Sequence, residues 1–323
     1  MILRGRGKAL LWRLGQAAIT LWLLSFIIFC ALALAKGDAA TARLAGSGSG
    51  SAQQVRDLRA QLGLDKPLLT RYRLWLGGAL RGDLGTSYLS GRPVSELLLD
   101  RGRFSLALGG SAALLLVVLA FSAGIGCGLH PGGVADRLIG TLSLVLAALP
   151  EFVTGTLLVL LFALTLRWLP ALSLVSDERS LWAQWPLFIL PVLTLVSVCL
   201  AQNIRLIRAG VMRASASAAC ESARLNGVAE RRVVLHWVLP EVLSYVLPVL
   251  ARYITYLFGG ALIAETLFGW PGLAASLLNA TLSRDTPVVM GIAMAICCLT
   301  VLLNALADGL TALFTPAAGR EGR

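Results

Sequence analysis

Charge is what this chain has least of. Of its 323 residues only 14% are Asp, Glu, Lys or Arg, 57% are hydrophobic, and two are histidine. The mean hydropathy of +0.78 excludes a soluble globular domain. Period-two alternation over ~10-residue segments is missing, and with it the signature of a membrane β-barrel. No G-x-x-x-x-G-K-[ST] occurs, so the chain has no P-loop in which to cradle nucleotide phosphates. H-E-x-x-H is absent and the histidines, His130 and His236, lie in different loops, which argues against an intramembrane metalloenzyme. No Ser, His and acid set can be placed together for serine chemistry. The six cysteines, Cys30, Cys127, Cys199, Cys220, Cys297 and Cys298, lack C-x-x-C spacing and lie in or beside apolar segments. They read as packing residues, neither disulfides nor metal ligands. No internal repeat is evident, which weakens a reading as a repeat-built secondary transporter.

What the chain does have is long apolar runs, several of them near the ~20 residues that cross a hydrocarbon core ~30 Å thick. Runs this continuous are helical, since a helix satisfies its own backbone groups in lipid. The fold class is an all-α polytopic membrane protein with about six transmembrane helices: near residues 9–35, 104–129, 138–166, 186–207, 242–262 and 288–313. The first run follows Arg4, Arg6 and Lys8. Although ALALA before Lys36 offers small residues for cleavage, the run is well beyond the ~7 to 15 residues of a signal peptide's apolar region, so it reads as a retained span.

The net charge of +11 and pI near 10.0 would suggest nucleic acid in a soluble protein. Here the cations sit mostly between apolar runs, where they set orientation instead. An even number of spans puts both termini on one side. Arg4, Arg6, Lys8 and Arg13 assign that side to the cytoplasm, and so does the gap from Arg205 to Arg232, with six Arg against Glu221 and Glu230. The basic segment from Gly37 to Arg103 then lies outside, and it exceeds the ~60-residue range over which the rule is counted. Its helical pieces are expected to break at Gly63 and Pro67 and to resume in an interfacial amphipathic helix with Leu68, Leu69, Tyr72, Trp75, Ala79 and Leu80 on one stripe. Pro93 suits a first helical turn, with Glu96 where the dipole favours an anion. HPGGVADR (130–137) is a short turn, and Asp177, Glu178 and Arg179 mark a loop.

The densest charge lies in ACESARLNGVAERRVVLHWVLP, residues 219–240. Ser215 and Ser217 are candidate N-caps, residues 218–225 suit a helix, and Gly227 is placed to end it in a left-handed turn. A second helix is expected from about Ala229 towards Trp237, broken by Pro240 before the fifth span. Ala219, Ser222 and Ala223 are small enough for another backbone to approach, with Glu221 and Arg224 at the rim.

Glu221-Ser222-Ala223, three residues, Gly227, nine residues, then Trp237-Val238-Leu239-Pro240 resembles the E-A-A-x3-G-x9-I-x-L-P signature of ABC-importer permeases. A chance match in a chain of this length is on the order of one in a thousand. LGLDKPLLTRY (62–72), RGDLGTSYLSGRPV (81–94), ALPEFVTG (148–155), AETLFGWPGL (264–273) and RDTPVVMG (284–291) look like blocks of the dipeptide, oligopeptide and nickel branch, in the same order. The chain departs from that pattern in Ser222, where Ala is usual, in Asn226, where Lys is frequent, and in AKGDAA (35–40), which lacks a Pro after Gly-Asp. The first two bear on partner specificity and the third on the outer loop only.

The resemblance implies an ABC type I importer permease-like fold: a cytoplasmic tip and first helix (1–36), an extracytoplasmic helical segment (37–103), a core with five further spans (104–315) and a cytoplasmic tail (316–323). It implies a coupling helix within about 215–240, in which Glu221, Ser222, Ala223, Arg224 and Gly227 meet an ATP-binding subunit and Pro240 leads into the next span. It implies as partners a second homologous permease, two ABC ATPases that bind ATP and Mg, and an extracytoplasmic solute-binding protein. This chain itself would be non-catalytic, hold no cofactor or metal, sit in the bilayer of a bacterial inner membrane and bind no nucleic acid. It also implies that Glu265, Trp270, Pro271 and Gly272, with Arg284 and Asp285, form an outer gate and binding-protein contact; from the residues alone, Trp270 reads equally as an interface anchor.

Ionisable groups inside spans are costly and point to function. Glu151, beside Pro150, would lie about 20 Å along the third span, near the bilayer middle. Two readings stand for Glu151 and Arg252: structural groups, paired with each other or each bonded to a neighbour, or cavity-lining groups that meet a zwitterionic solute. Asp308 in the sixth span reads as structurally paired. The solute is expected to be a di- or oligopeptide or a nickel or other metal chelate, with glutathione-like molecules and opines also within the branch. The competing function is an autonomous secondary transporter coupled to ions or protons through Glu151 and Arg252.

Overall fold

The computed structural model describes residues 2–34, 37–47, 52–175, 180–259 and 261–314. Lys36, the expected loop residues Asp177, Glu178 and Arg179, and the expected tail 316–323 lie outside the described residues. In chain order the helices are α1 (Ile2–Leu34), α2 (Ala39–Ser47), α3 (Ala52–Gln61), α4 (Leu68–Ala79), α5 (Val94–Leu129), α6 (Val134–Ala148), α7 (Glu151–Leu158), α8 (Pro186–Ser215), α9 (Ala218–Leu225), α10 (Glu230–Val233), α11 (Leu239–Gly259), α12 (Leu262–Phe268), α13 (Leu273–Leu282) and α14 (Thr286–Phe314). Among the described residues, five helical stretches are long and apolar enough to cross a membrane: 15–34, 94–129, 186–215, 230–259 and 286–309.

The expected third span is not one helix. α6 and the stretch Glu151–Thr165 meet at a bend of 112°, and only together do they make a sixth span. Pro150 has no N–H to continue α6, and its ring pushes Leu149 out of the helical region, to φ −87° and ψ 130°. Pro240, expected to break its helix, does not: Glu230–Gly259 runs through it. The turn Val234–Val238 just before it is widened to π geometry, which shifts the carbonyls that a proline ring would otherwise strike.

The chain forms two compact units. In the first, residues 1–104 and 272–301, the amphipathic stripe of α4 lies partly elsewhere than its spacing suggested. Tyr72 is buried, packing on Phe26 and Phe29 with ring centroids 5.2 and 5.4 Å apart, and its hydroxyl meets Ser25 Oγ at 2.8 Å. Such ring pairs add about 0.5–1.5 kcal/mol each beyond area burial. Leu68, Trp75 and Leu76 join this cluster around Met290, whereas Leu69 and Leu80 are 56% and 80% exposed. The buried face therefore follows 68, 72, 75 and 76. A second cluster centres on Val94, Val288, Val289 and Ile292.

In the second unit, residues 105–271 and 302–323, α8 is central and α6, α7, α11 and α12 pack around it. α5 approaches it closely because it has no side chain at two positions one turn apart. A Cβ on Gly124 would stand 2.7 Å from Ile207 Cβ, and one on Gly128 2.6 Å from Val211 Cβ. Lipid is as apolar as leucine, so close packing of this kind is what holds membrane helices together. Gly126, on the same helix, has open space beside it. Gly128→Leu is expected to cost about 1–3 kcal/mol through overpacking and to lower the thermal midpoint of the purified chain. Gly126→Leu should leave that midpoint unchanged, which fluorescence-detected size exclusion after heating would check.

Candidate functional site

The charged stretch folds as a corner fixed at three points. Ser217, with extended backbone, caps α9 by accepting from Cys220 N at 3.4 Å. Gly227, at φ +77°, closes it with a paired exit: Gly227 N donates to Arg224 O at 2.9 Å and Val228 N to Ala223 O at 3.1 Å, the Schellman pattern that satisfies a helix's last carbonyls. Arg224 then ties the corner together, its Nε and Nη2 on the two oxygens of Glu230 at 2.9 and 2.8 Å and its Nη1 on Ser215 O at 2.8 Å. The Glu230 carboxylate holds the Arg224 guanidinium above its ordinary range.

This assigns the expected docking residues differently among themselves. Cys220 and Ala223 face inward and are buried, so Ala223 spaces the helix from its own chain. Arg224 is a strut. Glu221 and Ser222 are exposed, and beside them is Leu225, 82% exposed, which composition did not single out. Ser215 is the last residue of α8 and caps nothing; its carbonyl receives Arg224.

Glu151 occupies the first turn of α7 and is 9% exposed. Its Oε2 accepts from the hydroxyl of Tyr256 on α11 at 3.2 Å, while Oε1 is buried without a partner. Arg252, one turn from Tyr256, is exposed and does not bond Glu151. Glu151 and Arg252 therefore form no pair in this geometry, whereas the bond to Tyr256 is the neighbour contact that the structural reading also allows for Glu151. Asp308 lies on α14 with contacts of its own.

The residues expected at an outer contact are largely buried. Glu265 (1% exposed) accepts from Ser105 Oγ at 2.7 Å. Trp270 (1% exposed) packs edge-on against Phe188 at 4.6 Å, and its backbone N–H donates to the backbone carbonyl of Glu265 at 2.8 Å after the left-handed Gly269. Trp270 is thus a core residue, not an interface anchor. Within the first unit, Asp285 is also buried and pins the 87–89 turn, accepting from Ser87 Oγ at 2.6 Å and Tyr88 N at 3.0 Å. Burial pushes the Tyr88 phenol up, against the lowering effect of Arg71. Arg284, half-buried, takes a left-handed φ of +60°. Pro271 and Gly272 follow Trp270 as the approach to α13, with Gly272 extended before its first residue. In this geometry the buried side chains of Glu265, Trp270 and Asp285 hold loops in place.

One pair escaped sequence reading. Asp136, in the first turn of α6, receives Arg208 of α8 through two bonds, Nε to Oδ1 at 2.5 Å and Nη2 to Oδ2 at 2.8 Å. Gly132 N adds a third at 2.8 Å. In the sequence Arg208 counts only as one of six orienting Arg, just past the expected fourth span, and Asp136 only as part of the 130–137 turn.

Known proteins match the chain along most of its length. The family model described as "Binding-protein-dependent transport system inner membrane component" matches residues 117–320, and a companion N-terminal model matches residues 7–109. The chain is 31% identical over 311 residues to a "Probable peptide ABC transporter permease protein" of Sinorhizobium fredii, covering 96% of this chain and 98% of the relative. It is 31% identical over 298 residues to the "Glutathione transport system permease protein GsiC" of Escherichia coli, covering 92% and 94%. Among solved structures, an amino acid ABC transporter matches with TM-score 0.53 at 16% identity, over 68% of this chain and 94% of that one. The inward-facing MetNI methionine ABC transporter matches with TM-score 0.52 at 14% identity, over 69% and 98%. At such identities the likeness shows a shared fold.

Proposed function

This chain belongs to the family of binding-protein-dependent transport system inner membrane components and is a multi-pass permease subunit of an ABC importer, and on that premise we propose how its parts act. α9 docks on an ATPase subunit through Glu221, Ser222 and Leu225, with Gly227 and Arg224 holding its angle and Pro240 continuing the helix into the membrane. Both termini and α9 face the cytoplasm, where six Arg cluster between 205 and 232. A second homologous permease completes the pathway, two ATPases bind ATP and Mg, and an extracytoplasmic binding protein delivers the solute near Pro271, Gly272 and Arg284. Pro150, Glu151 and Arg252 lie along the route. The solute is peptide-like, as the names of the peptide and glutathione relatives suggest.

The observation that carries this reading is an exposed, charged short helix rigidly capped at both ends, on a chain with no nucleotide-binding motif. Such an element is suited to receive force from another protein. Reconstituted alone in vesicles, the chain is expected to take up neither radiolabelled dialanine nor glutathione under any ion gradient. With its ATPase, second permease and binding protein it should take up one of them only with ATP. Gradient-driven uptake by the chain alone would instead establish a secondary transporter, and ATP-dependent uptake of a nickel chelate but neither peptide would overturn the peptide assignment.

A further inference from the structure

We propose that Glu151 and Tyr256 form a receptor for the cationic nitrogen of the solute inside the membrane, so that the permease itself selects for a free amino group. This rests on the reading of Glu151 as a pathway residue. The Glu151 side chain is buried and only one of its oxygens is used, by Tyr256 at 3.2 Å. A carboxylate taken out of water is strongly unfavourable unless a cation or several hydrogen-bond donors compensate it, and its Oε1 has neither among the described residues. Arg252, the nearest cation along α11, is exposed and not bonded to it.

The surroundings point to the same kind of ligand. The buried Cys199 thiol lies within electrostatic reach of Glu151. Its backbone oxygen takes Asn203 Nδ2 at 2.8 Å, one turn further along α8. Asn203 Oδ1 is buried and unpartnered as well. Both unsatisfied atoms are acceptors, and at Glu151 the one short of a donor is Oε1. A primary ammonium carries three N–H donors and a positive charge and no acceptor, which matches that shortage; a carboxylate or phosphate would worsen it. Tyr256 is 40% exposed, and the chain turns by 112° beside Glu151.

The test uses the assembled importer in detergent with dialanine amide as probe and a carbodiimide as zero-length coupling reagent. The carbodiimide activates a carboxyl group, the probe's amine displaces it to form an amide, and the reagent leaves as its urea. Mass spectrometry is expected to find dialanine amide coupled at Glu151, suppressed at least tenfold by an excess of N,N-dimethyl dialanine amide, which carries the cation but forms no stable amide, and not by an excess of the N-acetylated probe, with no adduct at position 151 in Glu151→Gln. A parallel arm places Glu151→Cys in the same complex and treats it, during turnover, with a water-borne thiosulfonate reagent. A modified cysteine without an adduct at Glu151 would keep the pathway reading and sink the ammonium receptor. An unmodified cysteine would remove the pathway reading on which the receptor rests. Equal coupling of another buried carboxyl, such as Glu265, would also overturn it.

Discussion

Replacing Gly227 with valine is expected to reduce ATPase co-purification with this permease at least tenfold while leaving membrane insertion and chain stability unchanged. The reason lies in the backbone and not in space. Nothing stands within 4 Å of where a Cβ would be, so no clash unfolds the element. The φ of +77°, however, is a conformation that costs an L-residue roughly 1–2 kcal/mol, more for a β-branched one. To escape it the chain must leave the left-handed turn, losing the bonds from Gly227 N to Arg224 O and from Val228 N to Ala223 O. The approach of Glu230 to Arg224 is then lost as well, and α9 swings. A penalty near 1.4 kcal/mol is tenfold in an equilibrium, and an interface that recognises one helix angle feels all of it. Asparagine, which tolerates this region, should retain association near that of glycine, with alanine between the two. Quantifying ATPase per permease after affinity purification, against permease level in the membrane fraction, gives the ranking. Equal co-purification of Gly227→Val and the parent would remove α9 from the docking role.

That element could be read from sequence because its determinants are local. Ser217 caps α9 three residues from the N–H it accepts, and Gly227 follows the last turn directly. The spans were legible for the same reason, since hydropathy is a property of neighbours. The prolines show where local rules stop. Pro150 and Pro240 carry the same intrinsic penalty, yet one bends its helix pair by 112° and the other is absorbed by a π turn at 234–238, a difference set by packing around each helix. The burial of the acidic residues at 265 and 285 could not be read locally because their partners are remote in sequence: Ser105 is 160 residues from Glu265, and Ser87 is 198 from Asp285. An acidic residue near a span end reads as surface until a distant hydroxyl is known to cover it.

The same remoteness hid Asp136 and Arg208, 72 residues apart, and makes them the second large expectation: Arg208→Ala should lower the accumulated, folded permease roughly tenfold. The Asp136 side chain is 6% exposed and the Arg208 side chain 34%, so the two are not equivalent. Removing Arg208 strands a carboxylate with only Gly132 N against it. Removing Asp136 leaves a long guanidinium with a third of its surface already reaching outward, free to extend further towards the membrane boundary. Asp136→Ala is therefore expected to be the milder variant. Asp136→Ala with Arg208→Met, which withdraws both charges and keeps apolar volume on α8, should recover most of the accumulation, because a buried ion pair is often replaceable by apolar packing but not divisible. The chains are compared by membrane-fraction level and by the temperature at which each loses its monodisperse peak, and the parent, Asp136→Ala, Arg208→Met and the double replacement form a double-mutant cycle. If Arg208→Ala and the double replacement behave alike, the pair does not clamp α6 to α8, and the 130–137 turn is held by other contacts.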